Sequence, residues 1–425
     1  MQRKMGPAMP SFLLHLRDAG GAAIADLLQR AANSEDEELV EALASAAYER
    51  SWEKLHCGSW KDVLPVWREA FGVASVLQAR CLMRRKQFME CLRMLDMCIM
   101  MAGPMAPPET HKLIANIEEQ LTEDKQQDVP NVSPSRRFKR PRLEVEGVQR
   151  LGGQVKEPTL TSPVRRLEMP TLEEFRRNVM LQSEPVVITG AMEFWPALGR
   201  TAGPERAWAD VKYLRRIAGL RTVPVEVGSS YLGDDWGQEL MTLNEFLDRH
   251  IIPPVENADR EDTGADDAQA IPSKRLGYLA QHRLFDQIPA LGRDIMTPDY
   301  CTIQRVEDEE DEEDITINSW FGPGGTVSPL HFDPKDNVLC QVVGAKYLRL
   351  YAPEESEKLY PIEGLLSNTS QVQVEDPDNE QFPEFRNAKY IECVLHEGEM
   401  LYIPPKYWHY VKSLSTSFSV SFWWS

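Results

Sequence analysis

Long apolar segments are the first feature that this 425-residue chain lacks. No run approaches the roughly 18 apolar residues that a membrane-spanning helix needs. Near the N-terminus, the apolar residues 12–14 are followed at once by His15 and Arg17, and this core is too short for a secretory signal. We therefore expect a soluble, intracellular protein that has no membrane as a partner.

Closely spaced cysteine pairs are also missing. The seven cysteines, at positions 57, 81, 91, 98, 301, 340 and 393, form no Cys-x-x-Cys motif, so no zinc reader module is expected. Their scatter and odd number suit a reducing compartment.

Excess positive charge is absent too. The net charge of −19 argues against general affinity for a phosphate backbone, so we expect no direct nucleic-acid binding and a basic protein partner.

What the chain does have is 42% apolar content, enough for at least one sizeable core, and a length typical of two or three domains. Residues 1–121 carry apolar side chains at helical spacing, for example Leu77, Cys81, Cys91 and Leu95. We predict an all-α domain that acts as a protein-interaction module. Its helix pairs resemble a tetratricopeptide-like array, although a plain helical bundle fits the spacing as well.

The composition changes between residues 122 and 164. This segment is rich in Gln, Asp, Pro, Ser and Arg and has too little apolar area to offset the entropy of ordering, which predicts a flexible linker. A basic cluster within it is typical of nuclear import signals; it comprises Arg136, Arg137, Lys139, Arg140 and Arg142. The alternative is a solvated linker without this role. We favour import and predict a nuclear protein, with a cytoplasmic fraction also compatible.

Residues 165–425 combine short helices with strands of two-residue period. Thr171 begins a helix with an acidic first turn, and near the C-terminus Phe418, Val420 and Phe422 alternate with serines. Recurring strands of this kind predict a double-stranded β-helix, a jelly-roll of two antiparallel sheets with helices packed outside. The whole chain is then an α+β protein in which an all-α domain precedes the jelly-roll.

Two metal-ligand residue types stand together in a predicted strand that follows a Gly/Pro turn. His331 and Asp333 are two positions apart, so their side chains share one face of the strand, whereas Phe332 points to the other. Downstream, His409 follows an apolar strand and a Pro-Pro turn. Two histidines and one carboxylate on one side of a metal leave positions open, as in non-haem Fe(II) oxygenases, whereas a structural zinc site leaves none.

Lys346 begins a predicted strand and shares its face with Leu348 and Leu350. Burying a lysine on an apolar face is unfavourable unless the ammonium meets an anion. A dicarboxylate cosubstrate supplies one.

These segments resemble the Jumonji-C (JmjC) family of Fe(II)- and 2-oxoglutarate-dependent oxygenases over roughly residues 167–425, and Phe332 is atypical because the resemblance implies a polar residue at this position. The resemblance implies Fe(II), 2-oxoglutarate and O2 as cofactor and cosubstrates, with His331, Asp333 and His409 as iron ligands and catalytic centre. It implies that Lys346, helped by Tyr278 and Ser328, pairs with the distal carboxylate of 2-oxoglutarate. Asn337 and Trp320 would line the metal-proximal end.

The resemblance is greatest to the arginyl-hydroxylase branch, which implies hydroxylation of an arginine β-carbon in a protein substrate. Glu226, Tyr231 and Trp236 offer a carboxylate and two aromatic faces that could hold a guanidinium. The alternative reading of Glu226 is a surface acid at a strand end. Demethylation of methylated lysine 36 on histone H3, a function also ascribed to this branch, is the second hypothesis. The third is a non-catalytic cupin adaptor.

Overall fold

The computed structural model describes residues 9–59, 62–127, 150–153, 155–201, 203–228, 236–252, 275–305 and 314–425. The basic cluster at residues 136–142 and Tyr231 lie outside this part of the chain. The chain divides into two compact units. One comprises Met1–Glu144 with Leu220–Thr222, and the other comprises Val145–Gly219 and Val223–Ser425.

The described residues between positions 9 and 127 of the first unit form helices joined by short connections, as predicted. Its helices are α1 (Met9–Asp18), α2 (Ala22–Asn33), α3 (Glu37–Leu55), α4 (Pro65–Arg84), α5 (Phe88–Ala102) and α6 (Thr110–Gln127). Neighbouring helices pack against one another through fully buried side chains such as Leu28, Phe71 and Leu95. Asp36 caps α3 by accepting hydrogen bonds from two backbone N–H groups, which fixes where this helix begins.

The second unit consists mainly of strands. These are β1 (Arg165–Glu168), β2 (Val186–Thr189), β3 (Thr222–Val227), β4 (Gly237–Thr242), β5 (Gly277–His282), β6 (Thr316–Gly322), β7 (Val327–His331), β8 (Asp336–Val343), β9 (Lys346–Tyr351), β10 (Tyr390–Leu395), β11 (Met400–Ile403), β12 (Trp408–Ser413) and β13 (Ser417–Trp424). They form a nine-stranded sheet of order β1-β2-β11-β8-β13-β6-β5-β3-β4 and a four-stranded sheet of order β10-β9-β12-β7. The predicted α+β class with a jelly-roll is thereby confirmed.

In the part of this unit that the structure describes, five short α-helices accompany the sheets: α7 (Leu172–Phe175), α8 (Val211–Ala218), α9 (Leu243–Phe246), α10 (Leu284–Gln287) and α11 (Pro289–Gly292). The predicted helix start at Thr171 is present as a capping box with Glu174. Among the described residues, no helix is long and apolar enough to cross a membrane.

Three apolar layers follow from the two-residue period of the strands. The helix-covered side of the large sheet buries residues such as Phe422. Leu339, Leu348 and Ile403 belong to a separate layer, which includes side chains from both sheets. Tyr347 and Tyr351 belong to a third layer on the other face of the small sheet. Alternation along β9 therefore sends Lys346 and Tyr347 to opposite faces.

Residues 161–164 of the predicted linker contact the small sheet. Both the backbone N–H and the hydroxyl of Thr161 donate to the carboxylate of Glu392, and the N–H of Val164 donates to the Glu392 carbonyl. Val164 is buried. Further back, the N–H of Leu151 donates to the carbonyl of Ala209, so the contacts of the second unit begin at residue 151 or earlier. The limits of 1–121, 122–164 and 165–425 stay predictions.

Candidate metal and cosubstrate site

Two strands of the small sheet bring the candidate ligands together. His331, the last residue of β7, pairs directly with His409, the second residue of β12. The ring centroids of the two histidines lie 4.3 Å apart. One potential ligand atom from each of these histidines and from Asp333 lies within 4.8 Å of the others. The sequence predicted this trio, and the fold places it in one cluster.

Asp333 follows β7, and its Oδ2 lies 3.6 Å from Nε2 of His409. Its backbone carbonyl accepts a 2.7 Å hydrogen bond from the N–H of Lys406, in the Pro-Pro turn that precedes β12. Lys406 has a φ of 62°, a conformation that costs a non-glycine residue free energy. The turn before His409 is therefore tied directly to the segment that carries Asp333.

Both imidazoles are oriented by backbone carbonyls. Nδ1 of His331 lies 2.7 Å from the carbonyl oxygen of Pro329, and Nδ1 of His409 lies 3.0 Å from that of Tyr407. A carbonyl can only accept, so each Nδ1 carries the proton and each Nε2 keeps a lone pair for a metal. Burial and the neighbouring His331 lower the pKa of His409 to about 4, which keeps this ring neutral at physiological pH.

Lys346 is 2% exposed. Among the described residues it has no carboxylate partner: Nζ donates a 3.2 Å hydrogen bond to the hydroxyl of Tyr278 and lies 5.6 Å from the centre of that ring. Burial lowers the pKa of Lys346 to about 7. A buried amine without an anion fits the distal carboxylate of a dicarboxylate cosubstrate.

The remaining predicted residues line the same cavity as His331, His409 and Lys346; they are Tyr278, Ser328, Asn337 and Trp320. Burial raises the pKa of Tyr278 while a hydrogen bond with Ser328 opposes this shift, so the phenol stays protonated as a donor. The indole N–H of Trp320 donates a 2.9 Å hydrogen bond to Ser421. Their roles toward 2-oxoglutarate stay predictions.

Sequence reasoning gave no role to Trp423, which also lines this cavity. It stands directly opposite Asn337 in the pairing of β13 with β8. Nε1 of Trp423 and Oδ1 of Asn337 are both buried without a hydrogen-bond partner among the described residues. The alternation of β13 was the available signal, since Trp423 shares a face with Ser421.

The donor set fits iron and 2-oxoglutarate. Two imidazole nitrogens and one carboxylate can hold Fe(II) with positions left open. The unpaired amine of Lys346 and the unpaired polar atoms of Asn337 and Trp423 give a polar ligand of this cavity its hydrogen-bond partners.

Glu226 lies beside this cavity. Its register partner across β3 and β5 is Tyr278, so both side chains stand on the same face of the sheet. Nε1 of Trp236 donates a 3.4 Å hydrogen bond to Oε2 of Glu226, and the Trp236 side chain is 42% exposed. Burial raises the pKa of Glu226. Glu226 and Trp236 are therefore brought together, whereas Tyr231 lies outside the described residues.

Phe332 takes part in packing, as expected for a residue that faces away from the metal ligands. Its ring meets Trp408 edge to face with centroids 4.8 Å apart, in the third apolar layer. Its N–H donates to the carbonyl of Asn368, and the Asn368 amide donates back to its carbonyl. This pair of hydrogen bonds fixes the backbone of Phe332 between His331 and Asp333.

Comparison with known proteins assigns both parts of the chain. Residues 172–425 match the cupin-like domain family, and residues 3–131 match the family described as KDM8-like, N-terminal ARM repeats. ARM repeats are arrays of packed helices, and they differ from the tetratricopeptide type that the helix pairs suggested.

Three relatives match this chain over most of their own length. Lysine-specific demethylase 8 of Danio rerio is 43% identical over 88% of this chain and 85% of its own, and lysine-specific demethylase JMJ30 of Arabidopsis thaliana is 40% identical over 90% and 85%. Jumonji C domain-containing protein 5 of Drosophila melanogaster is 34% identical over 90% and 86%. With the His-Asp-His cluster, these matches confirm the resemblance: the chain belongs to the cupin-like JmjC family of Fe(II)- and 2-oxoglutarate-dependent oxygenases.

Proposed function

We propose that this oxygenase hydroxylates the β-carbon of arginine residues in a protein substrate. His331, Asp333 and His409 hold Fe(II), and Lys346 binds the distal carboxylate of 2-oxoglutarate with Tyr278 and Ser328. When bound, iron and 2-oxoglutarate supply the oxidising chemistry: O2 contributes one oxygen atom to the substrate C–H bond and one to succinate, with release of CO2.

The chain's own residues position these groups. The Pro329 and Tyr407 carbonyls keep both Nε2 atoms turned to the metal. The apolar layer that contains Leu339, Leu348 and Ile403 keeps water away from the buried side of the cavity. Asn337 and Trp423 offer an acceptor and a donor to the ligands at the metal-proximal end.

Glu226 is the residue that favours arginine as the modified side chain. Its carboxylate stands beside Tyr278 at the edge of the cavity, in an environment that raises its pKa by burial. A guanidinium would restore the charge balance of this carboxylate and could pair with both of its oxygens. Trp236 holds Glu226 with its indole N–H and leaves an exposed aromatic face on which a guanidinium can stack.

Histone lysine demethylation is the second candidate, in particular removal of methyl groups from lysine 36 of histone H3. It is favoured by the names of two relatives, which are called lysine-specific demethylases. In such a reaction, hydroxylation of an N-methyl carbon gives a hemiaminal that loses formaldehyde. The cavity serves both reactions, since both begin at a C–H bond near the metal. A non-catalytic adaptor is disfavoured, because it would have no use for the metal cluster and the buried Lys346.

Mass spectrometry separates these candidates. Arginine-containing and methyl-lysine peptides are incubated with the full chain, Fe(II), 2-oxoglutarate and oxygen. A gain of one oxygen atom on arginine supports the hydroxylase, and loss of a methyl group with release of formaldehyde supports the demethylase. If neither peptide class changes, the adaptor hypothesis is favoured over both.

We further propose that the substrate is a basic protein associated with chromatin and that the helical unit contributes to its recruitment. The net charge of −19 favours a basic partner. The basic cluster at residues 136–142 is proposed to direct the protein to the nucleus.

A further inference from the structure

A cavity of about 650 Å³ lies on the outer face of the small sheet, apart from the metal cluster. The strand β9 separates the two sites. Lys346 and Leu348 face the metal site, whereas Tyr347, Arg349 and Tyr351 alternate to the other side and line this cavity. We refer to it as the outer pocket. Nothing in the oxygenase chemistry above uses it.

Arg349 is the central cation of the outer pocket and is half-buried. Its guanidinium carbon lies 4.4 Å from the centre of the Tyr390 ring, and its Nε donates a 3.0 Å hydrogen bond to the hydroxyl of Tyr347. None of the carboxylates in the described part of the chain pairs with it. A half-buried guanidinium whose contacts are all with phenol groups keeps its outer N–H groups available to an oxyanion, which would neutralise it.

The carboxylate of Glu392, on the strand beside Arg349, already has other hydrogen-bond partners. Glu392 stands opposite Arg349 in the pairing of β10 with β9 but is 3% exposed. It accepts hydrogen bonds from Thr161 and from the hydroxyl of Tyr347. Tyr347 thus lies between the carboxylate and the guanidinium. Glu392 therefore holds Tyr347 at the bottom of the pocket, and the outer N–H groups of Arg349 remain available to a ligand.

The rim of the outer pocket adds further positive charge. Lys156, Arg386 and Lys412 line it together with Arg349, against two carboxylates, Glu157 and Glu375. Both oxygens of Glu375 accept 2.8 Å hydrogen bonds from Lys412, so this pair is internally balanced. Lys156 and Arg386 are exposed. In a chain of net charge −19, an excess of cations around one pocket points to an anionic ligand.

The side chains at the bottom of the outer pocket indicate what the ligand carries besides its anionic group. Tyr351 and Phe385 are buried beneath the pocket, and Tyr390 is partly exposed under the guanidinium. Aromatic side chains that line a pocket in this way offer apolar contact to a flat ligand ring. The planar fork of arginine matches the oxygens of a phosphate group.

We propose that the outer pocket binds an aromatic phosphate, with the phosphate on Arg349 and the ring on the tyrosine floor. The ligand is either a phosphotyrosine side chain of a peptide or a free aromatic phosphate, since the two share this chemistry. Phenyl phosphate is the probe, titrated by calorimetry into the full-length protein.

Arg349→Gln removes the charge and keeps much of the shape, and it should raise the Kd for phenyl phosphate about tenfold or more, the scale of a lost charge-assisted hydrogen bond. Arg386→Ala with Lys156→Ala, on the exposed rim, should raise it roughly threefold. These two changes remain informative if Arg349→Gln does not fold. Arg165→Ala, an exposed arginine of the large sheet, is the matched control and should leave the Kd unchanged.

Phenol and inorganic phosphate, titrated alone, should each bind far more weakly than phenyl phosphate. A phosphotyrosine peptide that binds more tightly than phenyl phosphate identifies the peptide as the source, whereas equal or weaker binding identifies the free compound. The proposal is overturned if neither the Arg349 nor the rim variants change the Kd. It is also overturned if 2-oxoglutarate displaces the probe and Lys346→Ala abolishes its binding, which would place the anion in the metal site.

Discussion

His331 and His409 are oriented by the same kind of local hydrogen bond. Each Nδ1 meets the backbone carbonyl of the residue two positions earlier, Pro329 in one case and Tyr407 in the other. The two strands that carry them are paired so that the ring centroids lie 4.3 Å apart. Two local hydrogen bonds and one register pairing therefore set both Nε2 atoms toward one point.

Loss of a ligand should abolish turnover without unfolding the protein. We expect His331→Ala and Asp333→Ala to lose iron-dependent turnover and metal binding, because each removes a donor of the open site. Metal content and turnover are measured together with the melting temperature of the metal-free protein. His396→Ala changes a partly exposed histidine away from the cluster; this variant is the control and should behave as wild type. Near-normal turnover in either ligand variant would contradict the triad.

Removal of the buried lysine should affect the cosubstrate and spare the metal. In Lys346→Ala the distal carboxylate of 2-oxoglutarate loses its charge partner, and we expect the Kd for 2-oxoglutarate to rise about 10- to 100-fold. The concentration of iron needed for half-maximal activity should change far less. Lys389→Ala, an exposed lysine, is the matched control. An equal loss of affinity for iron and cosubstrate would show that Lys346 has a structural role.

Cosubstrate binding should take up a proton at alkaline pH. Burial lowers the pKa of Lys346 to about 7, so above this pH the free protein holds a neutral amine. The carboxylate of 2-oxoglutarate favours the ammonium and raises the pKa again. Between pH about 7 and about 10 the affinity should therefore fall as pH rises, by up to about tenfold per unit, and below pH about 7 it should level off.

Calorimetry checks this linkage with manganese in place of iron and with two buffers of different ionisation enthalpy. About one proton should be taken up at pH about 8.5 and almost none at pH about 6. Lys346→Ala should take up none at either pH. The absence of uptake by wild type at the higher pH would show that the amine is already charged in the free protein.

Glu226 should distinguish arginine from lysine in the substrate. Glu226→Gln removes the charge and keeps the shape, so binding of an arginine peptide should weaken by about 1.5–3 kcal/mol. Replacement of the substrate arginine by lysine should weaken binding to wild type strongly and to the variant little, since lysine lacks the planar fork. Measuring both peptides on both proteins gives the coupling energy of the pair. A coupling energy of zero would remove the structural support for the arginine hypothesis.

The basic cluster should control location and not turnover. Replacing the five basic residues between positions 136 and 142 with alanine should shift the protein from nucleus to cytoplasm, because import receptors read clustered positive charge. Peptide turnover by the purified variant should equal that of wild type. Imaging of tagged protein measures the distribution, and an unchanged nuclear fraction would reject the import role.

The local periodicity of the sequence determined which residues share a face. The shared face of Lys346 and Leu348 and the alternation of β13 follow from the two-residue period and need no tertiary information. Asp333 was predicted within the same strand as His331, but it lies just beyond the end of β7, and its backbone carbonyl accepts a hydrogen bond from Lys406 in the turn before His409. The residues that could bind a metal were also predictable from the sequence, because each stands in a short local motif. The helix start at Thr171 was equally local, because a capping box involves only neighbouring residues.

The tertiary structure decided what lies opposite each face. The serines of β13 alternate with large apolar residues in the manner of a half-exposed strand, yet Ser417, Ser419 and Ser421 are all buried. The same inward face places Trp423 opposite Asn337, and no spacing in the sequence predicts this pairing. Pairing between distant strands also sets Glu226 beside Tyr278 and gathers the cations of the outer pocket around Arg349. Periodicity fixes the direction of a side chain within its strand, whereas its neighbours depend on non-local packing that only the folded chain specifies.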